Sequence, residues 1–309
     1  MKERFAVWAV YDFEFVFLSG AAFMKILVIG SNGQLGSDFV EQAEVCGHSV
    51  IPVDYPRIDI CDESSVSTYM REVLPDVVVN CAAYTAVDDC EKEREKAFAL
   101  NADACGSLAR AARECSSLLV HISTDYVFDG KASAPYTEES GTNPQSVYGK
   151  SKLRGEEIIT EQYGNSMIFR IAWLYGARGN NFVKTIRRIA ASSAKEGKPL
   201  KVVNDQFGTP TWTVSVCRQI LSVINTGERG IFHCTSEGSC CWYDFAKEIV
   251  AASGIAAEVQ PCTTAEFPRP APRPRYSVLE NARLKSIGAN IMRDWRGGFK
   301  EFLSSEKNS

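Results

Sequence analysis

Three side chains in this sequence have the types needed to move a proton at a single oxygen. They are the threonine that ends HIST (121–124), the tyrosine of VYGKSKL (147–153) and the lysine four positions after it. Tyr148 and Lys152 stand at i and i+4, and on a helix such positions are neighbours on one face. An ammonium beside a phenol stabilises phenolate, so the spacing predicts a Tyr148 pKa drawn down from about 10 toward neutrality. There it can exchange a proton with a substrate oxygen. Thr124 closes a run that reads as a buried strand, at the strand end where open α/β sheets bind ligands. Its hydroxyl can hold the same oxygen, and the set suits hydride exchange between a nicotinamide and a carbonyl or alcohol. Asp125 and Asp129 follow closely, and each reads equally as a turn-fixing acid and as a substrate contact.

Such a set needs a scaffold, and from Met24 onward the pattern is regular. KILVIG (25–30) is a short, wholly apolar run ending at a glycine, as expected of a strand buried on both faces of a parallel sheet. HSVIPVD (48–54), DVVVNCAA (76–83) and LLVHIST (118–124) read as further strands. Between them lie helical segments, including DESSVSTYMREVLP (62–75), capped by Asp62 or Ser64, and EKEREKAFALNADACGSLARAARE (91–114). Repeated β-α-β predicts an α/β, Rossmann-like, doubly wound parallel sheet with a smaller C-terminal substrate-binding α/β region. The expected divisions are an N-terminal extension (1–23), a dinucleotide-binding domain (24–171, with contributions from about 201–234), a substrate-binding region (172–303) and a tail (304–309).

Gly30-Ser31-Asn32-Gly33-Gln34-Leu35-Gly36 forms G-x-x-G-x-x-G in the first strand-to-helix turn. Glycines let the backbone approach a pyrophosphate, whose charge is favoured at the helix N-terminus. Asp54 ends the second strand about 20 residues on, where a carboxylate bonds ribose hydroxyls and repels a 2′-phosphate. NADH is therefore expected, with NADPH open because Arg57 could pair with that phosphate. Asp59 and Ile60 begin the next loop, where such folds lay residues against the adenine. The Pro/Arg-rich FPRPAPRPRYS (267–277) excludes helix and central strand, and reads as a loop folded over a site.

The chain has 309 residues, 45% hydrophobic and 23% charged, with a formal net charge of -4. That argues against general nucleic-acid or membrane-surface binding. Eleven cysteines without metal-ligand spacing read as reduced, mostly buried thiols in a reducing, cytoplasmic compartment. Vicinal Cys240 and Cys241 read as packing. Residues 1–23 superficially resemble a signal peptide, but Asp12 and Glu14 interrupt the apolar run, and the segment reads better as an upstream extension.

Taken together, GSNGQLG, NCAAYTAVDDCE, STDYVFDG, VYGKSKLRGE, RIAWLYG, GNNFVK and NDQFGTPT resemble the extended short-chain dehydrogenase/reductases, and among them the dTDP-4-dehydrorhamnose reductase family. The likeness runs in order from Met24 to about residue 303. It implies NAD(P)H-dependent reduction of the C4 keto group of a dTDP-linked 4-keto-6-deoxysugar, with Thr124, Tyr148 and Lys152 as catalytic residues and no metal in the chemistry. It also implies that Ala82, Ala83 and Tyr84 border the cofactor, beside Thr85 on the substrate side. Trp173 would line the deoxysugar, with Asp125, Asn181, Gln206 and Arg273 as further substrate contacts. Tyr84 stands where related sequences often carry His. A homodimer is compatible with the resemblance. A non-catalytic, cofactor-binding regulatory subunit of the same superfamily and a nucleotide-sugar epimerase are the alternatives. A dehydratase would need Asp-Glu after the active-site Thr, and here Tyr126 follows Asp125.

Overall fold

The computed structural model describes residues 23–307, so the extension reading of 1–23 lies almost wholly outside the described residues. The elements that build the site are β1 (Lys25–Ile29), α1 (Gln34–Val45), β2 (Ser49–Val53), α2 (Glu63–Val73), β3 (Val77–Asn80), α3 (Ala104–Glu114), β4 (Leu118–Thr124) and α4 (Val147–Gln162). They continue with β5 (Ser166–Ile171), α5 (Phe182–Glu196), α6 (Thr213–Val223), β6 (Gly230–His233), α7 (Trp242–Ala252) and α8 (Trp295–Glu306). The six strands form one sheet in the order β6-β5-β4-β3-β1-β2, and every pairing is parallel. The strand order reverses at β1, which has β2 on one side and β3 on the other. A crevice is expected at such a switch point, outside the carboxyl ends of the strands.

Strand alternation feeds two cores. Ile26, Val28, Val79, Val120 and Phe169 pack with Phe39 of α1 and Val216 and Ile220 of α6 on one face. Leu27, Ile29, Val78, Leu119 and Ile168 pack with Met70 of α2, Leu108 of α3 and Ile159 of α4 on the other. Burial on both faces explains why these strands read as unbroken apolar runs. A third cluster, including Val183, Phe245, Trp295 and Phe302, belongs to a smaller region where Leu200–Val203 pairs in parallel with Val259–Cys262.

Local expectations meet two corrections. The helix expected over 91–114 is interrupted: Arg94–Phe98 is helical, Ala99–Asp103 is a π turn, and α3 follows. Asn101, inside the π turn, accepts from Tyr84 N at 2.8 Å and donates to Ser151 Oγ at 3.0 Å, which ties the turn to the loop after β3 and to α4. The final helix runs through Glu306, into the expected tail, because Phe299 and Phe302 bury its inner face. Asp62 caps α2 by accepting from Ser64 N at 2.9 Å. Among the described residues, no helix is long and apolar enough to cross a membrane.

Candidate active site

β1 delivers the chain into the glycine turn. Gly30 has φ +77°, and a Cβ there would lie 2.6 Å from Ala82 N, so the turn closes on the segment after β3 only with glycine. Gly36 packs its bare Cα on the Gly30 carbonyl. Gly33 caps α1 without any side-chain hydrogen bond, leaving first-turn N–H groups for an anion. On one side of this turn lies a cavity of about 560 Å³ bordered by Gly30, Asp54, Asp59, Ile60, Ala82 and Ala83. On the other lies a cavity of about 880 Å³ bordered by Gln34, Leu35, Thr85, Thr124, Tyr148 and Lys152. Gly33, Cys81 and Ala83 line both, so the two form one path past the helix N-terminus.

Asp54 Oδ2 accepts from Asn32 N at 3.0 Å and Oδ1 from Tyr55 N at 2.9 Å. Asn32 is tied to Asp54 through its backbone and lines neither cavity. Tyr84 is turned away as well: its hydroxyl donates to Glu93 Oε2 at 2.9 Å, with Lys96 Nζ over the ring. Arg57 stacks on Tyr69.

Thr124, Tyr148 and Lys152, the trio expected to do the chemistry, all line the larger cavity. Ser146 caps α4 by accepting from Gly149 N at 3.1 Å, and the first turns of that helix carry Tyr148 and Lys152. Both are buried. Lys152 Nζ donates to Ile122 O at 2.6 Å and lies 3.1 Å from His121 Nε2. Thr124 Oγ1 donates to Asp125 Oδ1 at 2.9 Å and accepts from Tyr126 N at 3.2 Å. The expected lowering of the Tyr148 pKa is not found. Burial pushes this phenol well above its ordinary range, with the Thr124 hydroxyl a smaller opposing influence. Burial also pushes Lys152 down. Tyr148 therefore stands as a phenol, a proton donor. Burial raises Asp125 to about 6, against the opposing hydrogen bond from Thr124.

The facing wall comes from the smaller region. Trp173, with φ +48°, stacks on Trp242 at 3.4 Å and 5° between planes. The indole rests on Gly208, where a Cβ would come within 2.3 Å of the ring. Gln206 lines the cavity and donates to Thr264 Oγ1 at 2.9 Å. Phe267, Arg269, Arg273 and Pro274 also line it, so the Pro/Arg-rich loop does fold over the site. Arg273 is pinned by an ion pair with Asp88 at 2.9 Å. Asn181 does not line the cavity: it caps α5, accepting from Lys184 N and donating to Gln34 Oε1 and Gly176 O, while its neighbours Asn180 and Phe182 face the opening. Asp129 fixes a turn through Lys131 N and the Tyr136 hydroxyl. Cys240 and Cys241 are buried free thiols.

Sequence reasoning missed three features. His121 was visible as a lone histidine in an apolar strand, three residues before Thr124, but its pairing with Lys152 needs the fold. Trp242 has no local spacing that ties it to Trp173. The buried Arg170–Glu156 ion pair at 2.6 Å, with Ser123 Oγ donating to the same carboxylate, links β5, β4 and α4 beneath the site.

Comparison with known proteins agrees with this geometry. The family model described as the RmlD substrate binding domain matches residues 24–308. A dTDP-4-dehydrorhamnose reductase of Burkholderia thailandensis is 40% identical over 290 residues, covering 88% of this chain and 96% of its own. The spore coat polysaccharide biosynthesis protein SpsK of Bacillus subtilis is 38% identical over 285 residues, covering 92% and 99%. Among solved structures, a dTDP-4-dehydrorhamnose reductase from Clostridium acetobutylicum aligns with a TM-score of 0.89 at 47% identity, covering 92% of this chain and 100% of its own. The Bacillus anthracis reductase, solved in complex with NADP, aligns with a TM-score of 0.88 at 36% identity, with the same coverage. With a match that takes in both the glycine turn and the Trp173 wall, the chain belongs to the dTDP-4-dehydrorhamnose reductase family of the extended short-chain dehydrogenase/reductases.

Proposed function

We propose that this enzyme reduces the C4 keto group of dTDP-4-dehydro-β-L-rhamnose to give dTDP-L-rhamnose, using NADH by preference and NADPH as well. The observation that carries the reading is the convergence of Thr124, a phenolic Tyr148 and Lys152 on the larger cavity, which shares Gly33, Cys81 and Ala83 with the smaller one. A dinucleotide fits the residues present. Uncapped N–H groups of α1 suit its pyrophosphate, and Asp54 suits an adenosine ribose at the far end of the smaller cavity. A carboxylate there opposes a 2′-phosphate, which supports NADH, and the NADP complex of the Bacillus anthracis relative supports tolerance of NADPH.

Bound there, a reduced nicotinamide supplies the hydride taken up by the carbonyl carbon. Tyr148 gives its phenolic proton to the carbonyl oxygen as negative charge develops on that atom. Thr124 orients the same oxygen. Its hydroxyl is engaged by Asp125, so a protonated Asp125 would free Thr124 to donate. Lys152 sits one turn behind Tyr148, placed to bond the nicotinamide ribose and to steady the phenolate left after proton transfer. Trp173, backed by Trp242, offers a flat apolar surface to the methyl side of a 6-deoxysugar, where a hydroxymethyl group would bury a hydroxyl without a partner. Arg273 and Gln206 suit the nucleoside diphosphate. The eleven free thiols suit a reducing compartment, which makes the cytoplasm the proposed location.

Isotope transfer tests the reading. With NADH deuterated at nicotinamide C4 and dTDP-4-keto-6-deoxyhexose, the sugar product should carry one deuterium at its C4. Deuterium at another carbon, or none, would contradict C4 reduction.

A further inference from the structure

The Pro/Arg-rich loop is anchored at both ends and gripped in its middle by Asp88. At its start, Thr263 and Glu266 close a capping box, and Thr264 Oγ1 donates to Asp205 Oδ1 at 2.6 Å. At its end, Tyr276 N donates to Gly130 O at 3.1 Å, and a Cβ on Gly130 would lie 2.6 Å from Pro274 Cα. Within 267–272, Ala271 is the one buried residue. Its N–H donates to Asp88 Oδ1 at 3.2 Å, while Asp88 Oδ2 lies 2.9 Å from Arg273 Nη2. One carboxylate thus fixes both the backbone of the loop and its arginine. Asp88 belongs to the helical turn Val87–Cys90, three residues after Thr85, so the grip comes from the β3 side of the crevice.

Asp88, Tyr126 and Arg273 line the larger cavity together. Tyr126 stands edge-on to Tyr148, with ring centroids 5.5 Å apart. Its phenol is pushed up by burial, with Arg273 as the opposing charge, so the arginine lies near the reacting end of the cavity. Lys201 and Arg269 line the same cavity from exposed positions on long, flexible stems. Arg273 differs in having its direction set. A guanidinium is a rigid planar fork of five N–H donors, and engaging one edge leaves the others for an anion.

We propose that Asp88 is a positioning residue for substrate: it holds the Arg273 guanidinium in the direction from which it donates to the diphosphate of the nucleotide-linked sugar. The proposal rests on the reading of the substrate as a nucleoside-diphosphate sugar. A carboxylate near an anion site also repels the ligand, and the two effects have opposite signs. Orientation dominates here, because the Asp88 charge is already matched by Arg273 and by the Ala271 N–H. An arginine without that partner would have its rotamer freedom to lose on binding, and the loop would lose the hold on its middle.

The test uses dTDP, titrated calorimetrically into the full-length protein saturated with NADH, with NADH binding followed separately by nicotinamide fluorescence. Arg273→Met should raise the dTDP Kd by about 10–100-fold, the usual effect of losing hydrogen bonds from a charged group. Asp88→Asn keeps an oxygen for Ala271 N but offers Arg273 no charge. It should raise the dTDP Kd by about 3–10-fold and leave the NADH Kd within about twofold. In the Arg273→Met background the same Asp88→Asn step should cost less than about twofold, because the group through which it acts is gone. An Asn variant that binds dTDP as tightly as wild type, or more tightly, overturns the proposal. So does an equal loss in the Met background, which marks a purely structural role, and so does wild-type affinity in Arg273→Met. Should Asp88→Asn not fold, Asp88→Ser, which keeps a hydroxyl acceptor, is read by the same criteria. Wild-type protein that binds NADH but not dTDP overturns the nucleotide-sugar reading together with this proposal, whereas normal wild-type binding with no loss in the Asp88 variant overturns this proposal alone.

Discussion

Asp54 does two jobs with one carboxylate: it braces the backbone of Asn32 and Tyr55, and it supplies negative charge at the edge of the smaller cavity. Asp54→Asn separates them, because an amide oxygen can still accept while the charge is gone. The ratio of kcat/KM for NADH over NADPH should fall by roughly tenfold, equivalent to about 1.4 kcal/mol. An unchanged ratio would place the carboxylate away from the ribose. Asp125 yields a prediction about stability. Its pKa is raised from 3.8 to about 6 by burial, so the folded state binds this proton more tightly than the unfolded chain does. The associated stabilisation is fully present below the unfolded value and is lost as pH rises through about 6. A shift of about two units corresponds to about 3 kcal/mol as an order of magnitude. Asp125→Asn does not titrate, so its stability relative to wild type should be greater at pH 8 than at pH 4.5. Denaturant unfolding at the two pH values checks this, and an equal difference at both would contradict it.

The element that matters most is α4, which carries both Tyr148 and Lys152 and is held on several sides. Its N-terminus is set by the Ser146 cap, and its middle by the buried Glu156–Arg170 pair. A Cβ at Gly149 would lie 2.2 Å from Tyr126 O, backbone against backbone, so neither side can yield without moving the helix or the turn after Thr124. Gly149→Ala should therefore lower kcat on the order of 10²-fold, the usual result of displacing catalytic groups by about 1 Å, while far-UV circular dichroism stays native. A kcat within a few-fold of wild type would mean that the helix is not so constrained. At this scale the sequence was readable where the signal was periodic. The Tyr148–Lys152 spacing, the glycine turn and the apolar strands each followed from local rules. The interruption at Ala99–Asp103 did not, because it depends on Asn101 reaching Tyr84 and Ser151, far apart in sequence. Asn181 was misread for a related reason: a polar residue in a loop can contact a ligand or cap a helix, and only the backbone direction decides.

For the whole molecule, strand order creates the crevice at the reversal around β1, and the smaller region closes it from the far side with Trp173 and the Arg273 loop. The first half was legible because a doubly wound sheet repeats one unit. The second was not, because the Trp173–Trp242 stack and the Arg273–Asp88 pair join distant segments. The sign of the electrostatics was also misjudged. Spacing predicted a phenol acidified by its lysine, whereas burial acts on both groups and favours their neutral forms. The central claim is that Tyr148, set in this site, protonates a ketone as hydride arrives. The most direct measurement follows NADH absorbance with dTDP-4-keto-6-deoxyhexose for wild type and Tyr148→Phe, with NADH binding measured in parallel. The account predicts oxidation of NADH by wild type, a loss of about 10²–10⁴-fold in kcat for the variant, and little change in its NADH affinity. Wild-type protein that binds NADH but never oxidises it with this substrate, or a variant within a few-fold of wild type, would contradict it.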